Sequence, residues 1–218
     1  MTTPSDHWRG VYATQPATQL GWYERRPTVS LRLIETFAPP PARCASVIDV
    51  GGGASRLVDN LRERDFEDVT VLDIAGEALA EVRARLGDTH GAVRLVEHNV
   101  LSWKPARDYD VWHDRALFHF LVNPSDRTRY VDVTERTILA GGVLILATFA
   151  EDGPNHCSGL PVARYAAHDL ATTFKKFALV WDERANHVTP SGVVQPFTWV
   201  VLRRTSLSDC ASDAGARE

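Results

Sequence analysis

The sequence predicts a doubly wound α/β fold with a seven-stranded, mostly parallel sheet that ends in an antiparallel C-terminal hairpin. Three observations predict it. Short apolar runs alternate with amphipathic stretches of helical length from Ser46 to Leu146, the pattern that right-handed βαβ units impose on a chain. A glycine cluster, Gly51-Gly52-Gly53, separates the first apolar run from the stretch that follows it. Two strand-like runs near the C-terminus have only a turn between them, and a connection that short joins antiparallel neighbours.

Residues 1–28 are rich in Pro, Thr and aromatics (Trp8, Tyr12, Trp22, Tyr23) without a sustained period, so they are expected to drape over the domain. Val29 to Phe37 puts Val29, Leu33, Ile34 and Phe37 on one helical face, and Pro39-Pro40-Pro41 stops that helix. Ser46 to Val50 reads as a buried strand, and Leu57, Val58 and Leu61 form the inward face of the next helix. Val69 to Asp73 repeats the strand and Glu77 to Leu86 the helix, with Gly87 as C-cap. Val93 to Val100 and Tyr109 to Trp112 are two more strands. Ser125 is the expected N-cap of a helix ending near Leu139, before the apolar strand Val143 to Leu146. After a loop from Glu151 to Pro161 and a helix over Ala166 to Phe177, strands are expected at Phe177 to Glu183 and Gln195 to Arg203, joined through Thr189-Pro190-Ser191-Gly192. Residues 1–205 read as one domain, with its α/β core at 29–205. Residues 206–218 read as a disordered tail.

Composition removes several functions. At 218 residues and 44% hydrophobic content, the chain suits one core. A net charge of −4 argues against nucleic acid as a partner, because phosphate neutralisation needs a basic face. No apolar run is long enough to span a membrane and the first ten residues are polar, so a cytoplasmic location is expected. Cys44, Cys157 and Cys210 are far apart with no paired spacing, which indicates neither a disulfide framework nor a metal site.

The glycine turn carries the chemistry. A strand running into Asp49-Val50-Gly51-Gly52-Gly53-Ala54-Ser55 and then a helix lets the backbone approach a ligand and presents free N–H groups to it. The dinucleotide fingerprint needs a small residue where Arg56 stands, which weakens a dehydrogenase reading. Asp49-x-Gly51-x-Gly53-x-Ser55 resembles the first motif of class I S-adenosylmethionine-dependent methyltransferases, with Ser55 in the place of the last glycine. The fold so implied is the Rossmann-like methyltransferase fold, and the implied cofactor is S-adenosylmethionine.

The resemblance assigns roles residue by residue. Asp49, Gly51, Gly52 and Gly53 form the cofactor loop, Asp73 takes the ribose hydroxyls with Ile74 beside it, and Asn99 and Val100 read the adenine. His113, Asp114 and Arg115, at the end of the fourth strand, are the expected catalytic groups beside the methyl, with His113 also in the cofactor set. Because an imidazole titrates near neutral pH, His113 is the leading candidate for a base and His119 the second. The N-terminal pattern Trp8-x-x-x-Tyr12 with Trp22-Tyr23 is similar to the lead-in of lysine methyltransferases acting on elongation factor and citrate synthase, and to thiopurine-type methyltransferases. That similarity implies a lid in residues 1–28, with Trp8, Tyr12 and Trp22 near the sulfonium, where cation–π attraction is favourable. The loop from Asn155 to Pro161 is expected to face the acceptor. The acceptor so implied is a small molecule. A protein lysine is the alternative, and a non-catalytic S-adenosylmethionine-binding module or an NAD-dependent dehydrogenase is more remote.

Overall fold

In the computed structural model, which describes residues 3–87 and 93–205, the apolar runs form strands in the expected order. The N-terminal segment opens with helix α1 (Pro4–Thr14), and α2 (Thr28–Phe37) follows. Then come β1 (Ser46–Val50), α3 (Leu57–Arg62), β2 (Asp68–Asp73), α4 (Gly76–Leu86), β3 (Val93–Glu97) and β4 (Tyr109–Arg115). Next are α5 (Pro124–Thr137), β5 (Ile138–Phe149), the two-residue strands β6 (His156–Cys157) and β7 (Leu160–Pro161), α6 (Ala167–Thr173), β8 (Phe177–Val188) and β9 (Val194–Arg204). The seven-stranded sheet runs β3-β2-β1-β4-β5-β9-β8. The pairs from β3 to β5 are parallel, while β9 is antiparallel to both β5 and β8.

Alternation along each strand builds the two layers, since successive side chains leave opposite faces of a sheet. Val47, Val111 and Ile145 join Leu33, Ile34 and Leu61 on one side. Their neighbours Ile48, Trp112 and Leu144 meet Tyr130, Val133 and Phe174 on the other. Strand order reverses between β1 and β4, and in open α/β sheets ligands bind beyond the strand ends at such a switch point.

Several local expectations are corrected. Residues 4–14 are helical because Thr3 and Asp6 form a reciprocal capping box, Thr3 accepting from the Asp6 N–H, with Pro4 in the first turn. Asn123, two residues before Ser125, caps α5. The hairpin strands are longer than expected and continue to Val188 and from Val194. Gly87 does end α4, at φ +54°. The expected tail at 206–218 lies outside the described residues. Among the described residues no helix is long and apolar enough to cross a membrane.

Candidate functional site

The glycine turn after β1 is held from below. Gly51 and Gly53 sit at positive φ (+67° and +49°), a region that L side chains enter at a cost. A Cβ on Gly52 would fall 2.5 Å from Asp49 Oδ2 and 2.8 Å from Val71 Cγ1, so the carboxylate needs the bare backbone there. Asp49 is buried and its Oδ1 lies 2.7 Å from His113 Nδ1, while His113 Nε2 lies 2.9 Å from Ser30 Oγ on α2. Ser55 Oγ accepts the Leu57 N–H at 3.1 Å, so the serine in the last glycine position starts α3.

At the end of β2, Asp73 is buried and accepts N–H groups of Ala75, at 2.8 Å, and of Gly53 and Ile74. Burial pushes its carboxyl up to about 6, against the pull of those N–H groups. Tyr12 of α1 caps the turn from above, its hydroxyl 2.0 Å from where a Gly53 Cβ would stand. That oxygen accepts from the Ala54 N–H and the Trp22 indole, and burial, then the Asp73 charge, drive its ionisation far above the ordinary range.

Between these elements lies a cavity of about 380 Å³, within the size range of small-ligand sites. Asp73, Ile74, Asn99 and Val100 line one end, Trp8, Tyr12 and Trp22 the roof, and Arg115, Leu117, Phe120 and Cys157 the other end. Trp8 meets Trp22 and Phe120 edge to face, with ring centres 5.7 and 5.0 Å away. Arg9 anchors α1 to Glu97 at 2.8 Å, and the Ser5 hydroxyl reaches the Ile74 carbonyl at 3.5 Å. His7 also lines the cavity, and its Nε2 is buried without a hydrogen-bond partner.

Residues 47–142 match the model of a family described as a methyltransferase domain. They run from β1 into β5 and carry the glycine turn and the β1/β4 switch point. Solved structures share the fold across nearly the whole chain. A Burkholderia thailandensis 1,6-didemethyltoxoflavin-N1-methyltransferase, with its acceptor and S-adenosylhomocysteine bound, is 19% identical with TM-score 0.65, over 91% of this chain and 83% of that one. A protein described in the conversion of a disulfide bond into a thioacetal group during echinomycin biosynthesis is 17% identical with TM-score 0.70, over 99% and 98%. A methyltransferase from Anabaena variabilis is 15% identical with TM-score 0.70, over 93% and 95%. No curated protein matches the chain by sequence.

The fold brings together Trp8, Tyr12, Trp22, Gly51, Asp73, Ile74, Asn99, Val100 and Arg115 around the cavity. It does not bring His113 or Asp114 there. With both ring nitrogens engaged under the glycine turn, His113 is 2% exposed and does not fit the base expected of it. Asp114 faces the opposite layer and is fully buried, accepting from Tyr130 Oη at 2.5 Å, the Leu117 N–H at 2.8 Å and the Phe118 N–H at 3.1 Å. It shapes the turn after β4 and touches nothing in the cavity, and burial lifts its carboxyl to about 6. Asp49, Gly52 and Gly53 stand behind the cavity wall as the support and bend of the turn.

Arg115 reaches the cavity yet spends its guanidinium on the N-terminal segment, donating to the Trp22 carbonyl at 2.6 Å and pairing with Glu24 at 3.6 Å. Burial acts to raise the Glu24 carboxyl, but the His187 hydrogen bond and the Arg115 charge outweigh it and leave it below the ordinary range. His119 lies in the core against Phe149, and burial lowers its imidazole to about 3, which removes it as a base. The Asn99 Oδ1 already accepts the Leu101 N–H at 2.9 Å, so its amide nitrogen and its second lone pair are what remain toward the cavity. Of the predicted 155–161 loop, Cys157 and Leu160 reach the cavity, and burial pushes the thiol above its ordinary range, disfavouring a nucleophile. Among the described residues, no three His, Cys, Asp or Glu side chains cluster to hold a metal. Sequence reasoning missed His7, Leu117, Phe120 and Asp126 in the wall. The Thr3-Pro4-x-Asp6 capping signal would have placed His7 beside Trp8 on a helix.

Proposed function

We propose that the chain transfers the methyl group of S-adenosylmethionine to a small-molecule acceptor, with the cofactor held in the cavity at the β1/β4 switch point. The observation that carries this reading is the convergence of Asp73, the Gly51 turn and three roof aromatics on one cavity of about 380 Å³. The polar groups fit such a cofactor. Asp73 offers acceptor oxygens to a vicinal diol, Asn99 and Val100 line the place for a purine, and the unpartnered His7 Nε2 is left for a ligand group.

The cofactor supplies a methyl on a sulfonium sulfur, an electrophile with a good leaving group already in place. What remains for the protein is positioning and exclusion of water. Trp8, Tyr12 and Trp22 close the roof and present aromatic faces to a cation. Asp114 and Tyr130 fix the turn carrying Ala116 and Leu117, and Arg115 ties that turn to the roof segment. Residues 3–28 act as the lid, with α1 as its moving part.

Small-molecule acceptors are favoured because residues of α1 and Trp22 line the cavity together with the strand ends, which suits a compact acceptor. The named neighbours that act on small molecules point the same way, although at 19% identity or less they share the fold alone. Incubation with methyl-labelled cofactor and cell extract should move label into the fraction below about 1 kDa. Label confined to protein would favour the lysine alternative, and no transfer with intact cofactor binding would leave a binding module.

A further inference from the structure

A second cavity, of about 400 Å³, adjoins the first. The two share Trp22, Ala116 and Cys157 as a common wall. Ala116 holds φ +74° at the end of β4, a left-handed conformation that a non-glycine residue adopts at a cost. It is kept there by its N–H bond to the Ala147 carbonyl at 2.9 Å and by the Asp114-bound turn that follows. The strained residue therefore lies where the cavities meet, with only a methyl as its side chain.

The lining of the second cavity is chemically distinct. Trp22, Phe149 and Phe197 supply flat faces, and Gln15, Gln195 and Ser158 supply uncharged hydrogen-bonding groups. No aspartate, glutamate, lysine or arginine is among the lining residues, whereas the first cavity has Asp73, Arg115 and Asp126. Its titratable side chains are the exposed His156 and the Cys157 thiol, which burial keeps protonated. An ionised ligand would lose hydration there without a counter-charge, which is costly.

We infer that the second cavity is the acceptor compartment and takes an uncharged aromatic or heteroaromatic molecule, which meets the cofactor cavity past Ala116. This rests on the proposed methyltransferase reading. In the transfer, a heteroatom lone pair of the acceptor bonds to the methyl carbon while the carbon–sulfur bond breaks onto sulfur. The proton of an N–H or O–H acceptor leaves to water at the open rim.

The test titrates protein saturated with S-adenosylhomocysteine with three probes of one shape, 2-naphthol (neutral), 2-naphthoate (anion) and 2-naphthylmethylammonium (cation), by calorimetry and saturation-transfer NMR. The neutral probe should bind at one site without displacing S-adenosylhomocysteine, and at least tenfold tighter than either ion. Gln195→Trp, or His156→Trp should the first fail to fold, should weaken 2-naphthol at least tenfold while S-adenosylhomocysteine binds as before. Preference for an ion, displacement of S-adenosylhomocysteine, absence of probe binding, or binding unchanged in the variants would overturn the assignment. Failure of S-adenosylhomocysteine itself to bind wild-type protein would instead defeat the methyltransferase reading.

Discussion

Asp73 concentrates the energetics of the proposed site, because a buried carboxylate at the cavity wall must stay charged to accept hydroxyls of a ligand. Asp73→Ala should weaken S-adenosylhomocysteine binding by roughly 1.5–3 kcal/mol, the scale of hydrogen bonds to a charged group, with the fold retained in circular dichroism. Its carboxyl, pushed up to about 6, gives a pH dependence whose sign can be worked out. Bound hydroxyls favour the charged form, so affinity should hold above pH 6 and fall about tenfold per unit below it. Stability moves the other way, since a buried charge is disfavoured above about 6 and protonation relieves that cost as pH falls. Isothermal titration between pH 4.5 and 8 reads the binding arm, and Asp73→Asn should flatten it. His113→Ala should lower stability, because Asp49 Oδ1 and Ser30 Oγ lose their shared partner. Turnover per folded molecule should change by far less than the 10²–10⁴-fold expected for loss of a base. A larger drop without destabilisation would restore a catalytic role. These two residues also show what the sequence could reveal at this scale. A carboxylate ending a strand after a glycine turn puts Asp73 at the cavity wall by position alone. For His113 and Asp114 the position was right but the facing was not, since alternation along β4 sends one toward α2 and the other toward α5. Only Arg115 and the turn beyond it open to the cavity.

At the scale of elements, the turn after β4 and helix α1 differ in how firmly they are held. Asp114→Ala would leave the Tyr130 hydroxyl and the Leu117 and Phe118 N–H groups without their acceptor. Each unpaired buried group costs about 1–3 kcal/mol, so a thermal melt should show Tm lower by several degrees, at about 2–4 °C per kcal/mol. An unchanged Tm would mean the turn is fixed by other contacts. Helix α1, by contrast, has no fully buried residue and is fastened by an exposed Arg9–Glu97 pair, a long Ser5–Ile74 contact, ring contacts of Trp8 and the Tyr12 hydroxyl at the glycine turn. Exposed pairs contribute little, and such segments open at low cost. Amide exchange in residues 4–14 should therefore be fast in the free protein and slow markedly with S-adenosylhomocysteine, while β1 and β4 stay protected in both. Equal exchange in both states would remove the lid. The central strands β1, β2, β4 and β5 were legible in sequence because burial on both faces makes them largely apolar. Helix α1 was not, because its cue is a polar capping box and its partners, Trp22 and Phe120, are distant in the chain.

For the whole molecule, the fold follows from alternating apolar runs and one glycine turn, and the site from where the topology brings their ends together. The order β3-β2-β1-β4-β5-β9-β8 puts the ends of β1, β2 and β4 side by side, and the N-terminal segment roofs the opening they leave. The family match over residues 47–142 covers that core, while the roof and the wall residues Cys157 and Leu160 come from the chain on either side of it. On the proposed reading this cavity holds S-adenosylmethionine. Calorimetric titration of the wild-type chain at pH 7.5 with S-adenosylhomocysteine and, separately, with NAD tests it most directly. One S-adenosylhomocysteine should bind per chain at micromolar affinity and NAD should not bind, whereas NAD binding without S-adenosylhomocysteine binding would overturn the proposed function.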